Sequence, residues 1–345
     1  MNKIKIRNRT VGEGEPSLII AEIGMNHDGS FEKAICLIDA AGKAGADAVK
    51  FQAHIAEAET LLNAPAPPYF REESRFEYFK RTAFTQQQLG KLKEHSEAKD
   101  IVFLCSPFSI QAVDLLESID TAAYKIPSGE VTNLPLLKYI AKIGKPIILS
   151  SGMSNLAELE KAISLTRKFN QDVIILQCSS EYPCPYESIG LNLINELKEK
   201  FDLPVGLSDH TLTIYTAIAA VTLGACVIEK HFTLSKEMYG PDSKFSLVPE
   251  EFRQLVEGIR AVETALAHHV NKDDIEKFKE MKTIFQKSIT SVVDIPKGIT
   301  IQADMISLRK PGNGLAPEYY NEIIGKKARR DIPKDSIIHK EDMEW

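Results

Sequence analysis

The sequence predicts an α/β protein: a (β/α)8 barrel followed by a small β-rich domain. Short apolar, β-branched runs alternate with amphipathic segments from Leu18 to about Leu234. Nearly continuous apolar strands separated by helices imply a parallel sheet covered on both faces. Eight such units fill that span, which is the rhythm of a closed barrel. An open doubly wound sheet usually uses fewer strands, and no Gly-x-Gly-x-x-Gly follows the first run.

The predicted strands are LIIAEIG (18–24), AVKFQ (48–52), IVFLCSPF (101–108), AAYKIPSGE (122–130), PIILSSGM (146–153), VIILQCSSEYP (173–183), LPVGLSDH (203–210) and ACVIEKHF (225–232). Between them, segments such as FEKAICLIDAAGKAGA repeat apolar residues every three or four positions, the helical period. Two insertions break the rhythm. Residues 53–84 include the Pro-rich APAPPYF and are expected to form a lid on the active-site side. Residues 233–252 form a polar Gly/Pro-marked loop after the eighth strand, and a last barrel helix is expected from about Pro249 to Ala267. The barrel domain is thus 1–268, a charged linker covers 269–284, and 285–345 form the second domain. That last piece contains an internal echo, Asp294-Ile295-Pro296-Lys297 and Asp331-Ile332-Pro333-Lys334, and is small enough to bury little core.

Of the 345 residues 43% are hydrophobic and 26% charged, the balance of an ordinary globular protein. The net charge of −6 gives no support to nucleic-acid binding. No apolar run approaches the ~20 residues of a membrane span, and MNKIKIRNRT has no signal-peptide pattern. The five cysteines show no zinc-type spacing and are odd in number. A cytoplasmic location with reduced thiols is the expectation.

A barrel places its chemistry at the C-terminal strand ends. Lys50 and Lys125, with Ser106, Ser128, Ser150 and Ser208, suit a doubly anionic small ligand: the lysines supply charge, the hydroxyls neutral donors. A Schiff-base nucleophile is the competing use of such a lysine, and a plain ion pair with a neighbouring glutamate the structural one. Glu22 and Glu130 are candidate general bases; Glu229 reads equally as charge balance for the lysines. In Asn26-His27-Asp28-Gly29, Asp28 and Gly29 read as a turn before a helix.

His210 and His231 end successive strands, where two imidazoles can share one divalent metal. Two unrelated polar strand ends are the plain alternative. With no third ligand of comparable quality, an open site suits Mn2+ or a similar ion (Mg2+ and Co2+ are the alternatives) better than a closed zinc site.

Taken together, AEIGMNHDGS, GADAVKFQ, YKIPSGE, LSSGM, GLSDHT, IEKHFT and GPDSKFS resemble the sialic acid (nonulosonic acid) synthases. The tail, with DIPKG and KPGNG, is similar to their C-terminal antifreeze-like (SAF) domain. The resemblance covers almost the whole chain in the right order. It implies a TIM-barrel transferase that condenses phosphoenolpyruvate with an N-acetylated hexose and releases phosphate. N-acetylneuraminate synthase is the first expectation, legionaminic or pseudaminic acid synthase the alternatives, and a domain-swapped homodimer the implied assembly.

The resemblance also assigns roles. His210 and His231 match metal ligands; Lys50, Lys125, Ser106, Ser128, Ser150 and Ser208 match residues around phosphoenolpyruvate. Glu22, Gln52, Glu130, Tyr182 and Asp242 match residues around the sugar and the reacting centre, with Glu22 foremost for positioning water or moving a proton. Three departures bear on the sugar. Ser180-Glu181 stand where N-acetylneuraminate synthases commonly carry Asn, as in legionaminic acid synthases, whereas DSKFS is similar to pseudaminic acid synthases. Lys310 occupies the place of a sugar-contacting Arg, and the two side chains are not equivalent donors.

Overall fold

The computed structural model describes residues 3–65 and 72–345. It divides into two compact units, Met1–His268 and His269–Trp345. The first opens with a hairpin, β1 (Ile4–Ile6) and β2 (Arg9–Val11), that the sequence reading did not anticipate. Eight parallel strands then close into a barrel: β3 (Leu18–Gly24), β4 (Ala48–Ala53), β5 (Val102–Pro107), β6 (Tyr124–Ile126), β7 (Ile147–Ser150), β8 (Val173–Cys178), β9 (Val205–Asp209) and β10 (Val227–His231). Closure is made by β10 pairing with β3, His231 standing opposite Glu22.

Strand alternation sorts the side chains into two cores. Ile19, Val49, Phe103, Ile147, Ile175 and Ile228 point outward and pack against the helix layer. Leu18, Ile20, Ala48, Leu104, Ile148, Ile174 and Val227 fill the barrel interior. Ile4, Ile6 and Val11 of the hairpin join that inner cluster, which also holds the first residues of the strands, so the polar-looking N-terminus closes the lower mouth. Two residues further along most of the strands the same inward face turns polar, with Glu22, Lys50, Lys125, Ser150 and Glu229, all buried, while Leu176 keeps β8 apolar.

The helices follow their caps. In α1 (Phe31–Lys43) Ser30 accepts from the amide of Lys33, confirming the turn at Asp28-Gly29, both at positive φ. After β4 comes the insertion, with α2 (Ala56–Glu59) and α3 (Arg75–Thr82). Most of its Pro-rich stretch, 66–71, lies outside the described residues. The remaining barrel helices are α4 (Gln86–Glu97), α5 (Ile110–Ser118), α6 (Leu134–Ile143), α7 (Leu156–Arg167), α8 (Leu193–Phe201), α9 (Tyr215–Thr222) and α10 (Pro249–Ala267). Among the described residues no helix is long and apolar enough to cross a membrane.

The fourth strand is shorter than the run 122–130 suggested. Pro127 has no amide for the ladder, and Ser128–Glu130 coil into a 3-10 turn instead. In the second unit the connector holds α11 (Lys279–Phe285), followed by the antiparallel pair β11 (Ser288–Ser291) and β12 (Ile306–Arg309). The internal echo is a reciprocal contact. Ile295 bridges Ile332, the Lys297 amide donates to Asp331 Oδ1, and the Lys334 amide donates to Asp294 Oδ1, both at 2.7 Å.

Candidate active site

A cleft of about 390 Å3 opens at the C-terminal ends of the barrel strands. On its floor Lys50 Nζ lies 2.6 Å from Glu22 Oε2 and 3.8 Å from Glu229 Oε2, while Lys125 Nζ lies 3.3 Å from Glu229 Oε1. The parallel register explains this, since Glu22 stands opposite both Lys50 and His231. Lys125 donates to Ser150 Oγ at 2.7 Å, Lys50 reaches Ser106 Oγ at 3.4 Å, and Ser208 donates to Glu229 Oε1 at 2.9 Å.

Four buried charges this close move one another's proton affinities. Burial and neighbouring Glu229 raise Glu22 against the opposing pull of Lys50. Burial also pushes Glu229 up, but Lys125 and Lys50 outweigh it and hold the carboxyl at about 2. For Lys50, the two carboxylates overcome burial and the pKa rises. Burial wins at Lys125, which is lowered despite Glu229. Lys125 is therefore an incompletely compensated cation, a place where an incoming anion gains most.

Beside this floor stand the two imidazoles, His231 at the end of β10 and His210 one residue past β9. Their ring centroids are 5.4 Å apart, and Tyr182 packs against both, at 4.2 Å from His210 and 6.0 Å from His231. Burial lowers both, His210 to about 4, so the rings are neutral at physiological pH and offer lone pairs. His231 Nδ1 is buried with no hydrogen-bond partner among the described residues and lies 3.9 Å from Asp242 Oδ2. Neutral imidazoles with an orphaned ring nitrogen fit a divalent metal. Among the described residues no group of three or more His, Cys, Asp or Glu that could hold a metal ion is gathered, so an ion on the pair would need further oxygen ligands from water or substrate.

Two glycines make room for this convergence. At Gly24, φ is +51°, and a Cβ would stand 2.9 Å from Asp242 Oδ2 and 3.3 Å from Glu22 Oε1. At Gly152 a Cβ would fall 2.1 Å from Ser180 Oγ and 2.5 Å from Ser128 Oγ. Those hydroxyls flank Cys178 Sγ, each 3.5 Å away.

Most of the nominated residues come together here: Glu22, Lys50, Gln52, Lys125, Ser128, Ser150, Tyr182, Ser208, His210, His231 and Asp242 line the cleft. Ser106 lies behind Lys50, 1% exposed. Glu130 stands on the 3-10 turn, outside the residues that line the cleft; Asn133 Nδ2 donates to its Oε2 at 2.7 Å, and burial raises its pKa. Lys310 belongs to the second unit, its Nζ 5.0 Å from the centroid of Phe285.

Sequence reading missed His54, Phe79, Phe108, Met25, Arg75 and Met153 in the cleft wall. His54 had a signal: Lys50, Gln52 and His54 share strand parity. Phe108 shares parity with Ser106 in the same way, whereas Phe79 had no signal because it belongs to the insertion. The insertion and the loop after β10 meet, Tyr239 donating to Glu73 Oε1 at 3.0 Å.

A parallel barrel with a buried lysine–glutamate floor and an imidazole pair at its rim has its polar cleft where (β/α)8 enzymes carry their active sites. The chain belongs to the NeuB family, whose profile matches residues 37–271, with a SAF domain at 286–344. It is 40% identical over 330 residues to the N,N'-diacetyllegionaminic acid synthase of Campylobacter jejuni, spanning 93% of this chain and 98% of that one. A pseudaminic acid synthase of the same species is 36% identical over 331 residues, covering 94% and 96%. The crystal structure of an N-acetylneuraminic acid synthetase from Leptospira borgpetersenii, in complex with citrate, superposes with a TM-score of 0.71 at 33% identity, over 81% of this chain and 95% of that one. The protein is thus an enzyme of the sialic acid synthase family, which acts on phosphoenolpyruvate and acetamido sugars.

Proposed function

We propose that this enzyme joins phosphoenolpyruvate to a 2,4-diacetamido-2,4,6-trideoxyhexose, giving a legionaminate-type nonulosonate and inorganic phosphate. The observation that carries the chemistry is the convergence of Lys50–Glu22 and Lys125–Glu229 beside His210 and His231. The choice of sugar is supported by the legionaminic acid synthase relative, which aligns over nearly its whole length.

Lys50 and Lys125, with Ser106, Ser128, Ser150 and Ser208, hold the phosphate and carboxylate of the enol phosphate. His210 and His231 would hold a divalent ion, Mn2+ in the first instance, which would supply Lewis acidity toward the sugar's aldehyde oxygen. C3 of phosphoenolpyruvate forms a bond to the aldehyde carbon as the carbonyl π pair moves to the aldehyde oxygen, which takes up a proton to become a hydroxyl, and the electron-poor C2 that results takes up water. Loss of a proton from that water and cleavage of the bond from C2 to the phosphate oxygen leave the 2-keto acid and phosphate. Glu22, raised by burial, is suited to position the water and accept its proton. Tyr182, Phe79 and Phe108 give the sugar a partly apolar wall, matched to a deoxygenated, diacetamido ring. The working assembly in this proposal is a homodimer, testable by sedimentation.

The test is incubation with phosphoenolpyruvate and Mn2+ and, separately, the diacetamido-trideoxy mannose analogue, its altrose counterpart and N-acetylmannosamine. Phosphate release and the product's mass are read together. Turnover of the mannose analogue supports the proposal; preferential turnover of N-acetylmannosamine moves the enzyme to the neuraminate series. The lowered Lys125 favours one rival, a Schiff-base lyase. Borohydride trapping of pyruvate on Lys125, without phosphate release from any sugar, would overturn the synthase assignment.

A further inference from the structure

We infer that His54, backed by Glu59, is a positioning residue that fixes the orientation of the Gln52 amide and through it presents Glu22 to the reaction. The inference rests on the assignment of Glu22 and Gln52 to the reacting centre.

His54 follows β4 and is 4% exposed. Its ring is clamped between two aromatic faces, Phe79 at 3.8 Å and 7° and Phe108 at 4.2 Å and 20°. Nδ1 lies 2.6 Å from Glu59 Oε1 on α2, and Nε2 lies 3.0 Å from Gln52 Oε1. Gln52 Nε2 in turn donates to Glu22 Oε1 at 2.8 Å, and Glu22 Oε2 faces Lys50. One hydrogen-bonded line therefore runs from Glu59 through His54 and Gln52 to Glu22 and Lys50.

A glutamine amide can present either end to a neighbour, and nothing in its shape decides which. The carboxylate of Glu22 accepts only, so it calls for the NH2 end. The carbonyl end must then meet a donor, which makes His54 Nε2 the N–H bearing nitrogen. On the far side a proton lies between Nδ1 and Glu59 Oε1, because two lone pairs do not face each other at that distance. Take away His54, and Gln52 is free to turn its carbonyl toward Glu22.

Glu59 adds an independent observation. Its other oxygen, Oε2, is buried without a hydrogen-bond partner among the described residues, and its side chain is 5% exposed. A half-satisfied buried carboxylate costs stability; in this position it anchors the imidazole. Phe79 belongs to α3, so the insertion after β4 contributes a jaw of the clamp.

The test is His54→Phe, which keeps an aromatic disc between Phe79 and Phe108 and removes both hydrogen bonds. Expected are an unchanged KM for phosphoenolpyruvate and a kcat for the sugar lower by roughly 10–100-fold, by analogy with loss of an outer-shell hydrogen-bond partner at a metal site. The double variant His54→Phe/Gln52→Leu should be no slower than Gln52→Leu alone, since His54 acts through Gln52. Wild-type turnover by His54→Phe, or losses that multiply in the double variant, would overturn the inference. A second readout is independent of the reaction and of that variant. In protein labelled with 15N-histidine, His54 Nε2 should show the shift of a protonated ring nitrogen and move in Gln52→Leu. A pyridine-type Nε2 would sink the positioning role, whereas the absence of turnover with every sugar would sink the assigned reaction instead.

Discussion

Lys125 and Glu229 form a buried ion pair, Nζ to Oε1 at 3.3 Å, and the same carboxylate reaches Lys50 through its other oxygen at 3.8 Å. Glu229 is thus a bridge between the two cations proposed to seat the enol phosphate. Its removal leaves two lysines sharing one remaining carboxylate, Glu22. Breaking such a buried pair costs about 3–5 kcal/mol, so Glu229→Gln should lower the melting temperature markedly. Added phosphoenolpyruvate, supplying anionic charge to the lysines, should recover more stability in the variant than in wild type. Thermal denaturation with and without phosphoenolpyruvate checks both; an unchanged melting temperature in the variant contradicts the bridge.

The imidazole pair predicts a metal site that is read by binding, without turnover. Equilibrium titration followed by electron paramagnetic resonance of free Mn2+ should show one site per chain, lost in His231→Asn. Asp242, its Oδ2 3.9 Å from the same His231 Nδ1, is placed to lend negative charge to an ion held there. Asp242→Asn should therefore weaken Mn2+ by about 10–100-fold. Undiminished binding by His231→Asn would remove the pair from consideration as ligands.

His27 predicts a pH dependence. It is 1% exposed and stacks on Phe84 at 4.3 Å, and burial lowers its pKa from 6.5 to about 3. A histidine depressed in the folded state binds its proton preferentially when unfolded. Its contribution to stability is therefore full above pH 6.5 and is lost as pH falls toward 3. Between pH 6.5 and 4 this one group should cost about 3 kcal/mol. Urea unfolding across that range should show a shallower fall for His27→Gln than for wild type; parallel curves would contradict the assignment.

Gly152 predicts a steric effect. A Cβ there falls 2.1 Å from Ser180 Oγ and 2.5 Å from Ser128 Oγ, so both hydroxyls must move. Gly152→Ala should cost about 1–3 kcal/mol of stability and raise the KM for phosphoenolpyruvate by displacing Ser128. Kinetics with intact KM would show that Ser128 lies outside the phosphate seat.

The barrel was legible because parity and period are local. Leu18, Ile20 and Glu22 share a strand face, and the passage from apolar to polar along that face is written in consecutive residues. Ser30, Thr85 and Asn155 mark helix starts as plainly. The hairpin at Ile4–Val11 escaped notice because three apolar residues among polar ones gain meaning only when a barrel mouth lies below them. The fourth strand misled for the opposite reason: a strand-like run continued past Pro127 in the sequence but not in space.

By itself the sequence determined which residues could carry chemistry: the strand-end lysines, glutamates, serines and histidines, and the family to which their motifs belong. Tertiary structure decided which of them meet. Pairing of β10 with β3 closes the ring and puts His231 beside Glu22, and Glu229 reaches both Lys50 and Lys125. The clamp on His54 is assembled from β4, α2, α3 and the loop after β5. Local pattern fixes the face on which a side chain stands. Barrel closure and loop packing, which join residues far apart in the chain, fix its partner, and the partners set charge, tautomer and reactivity.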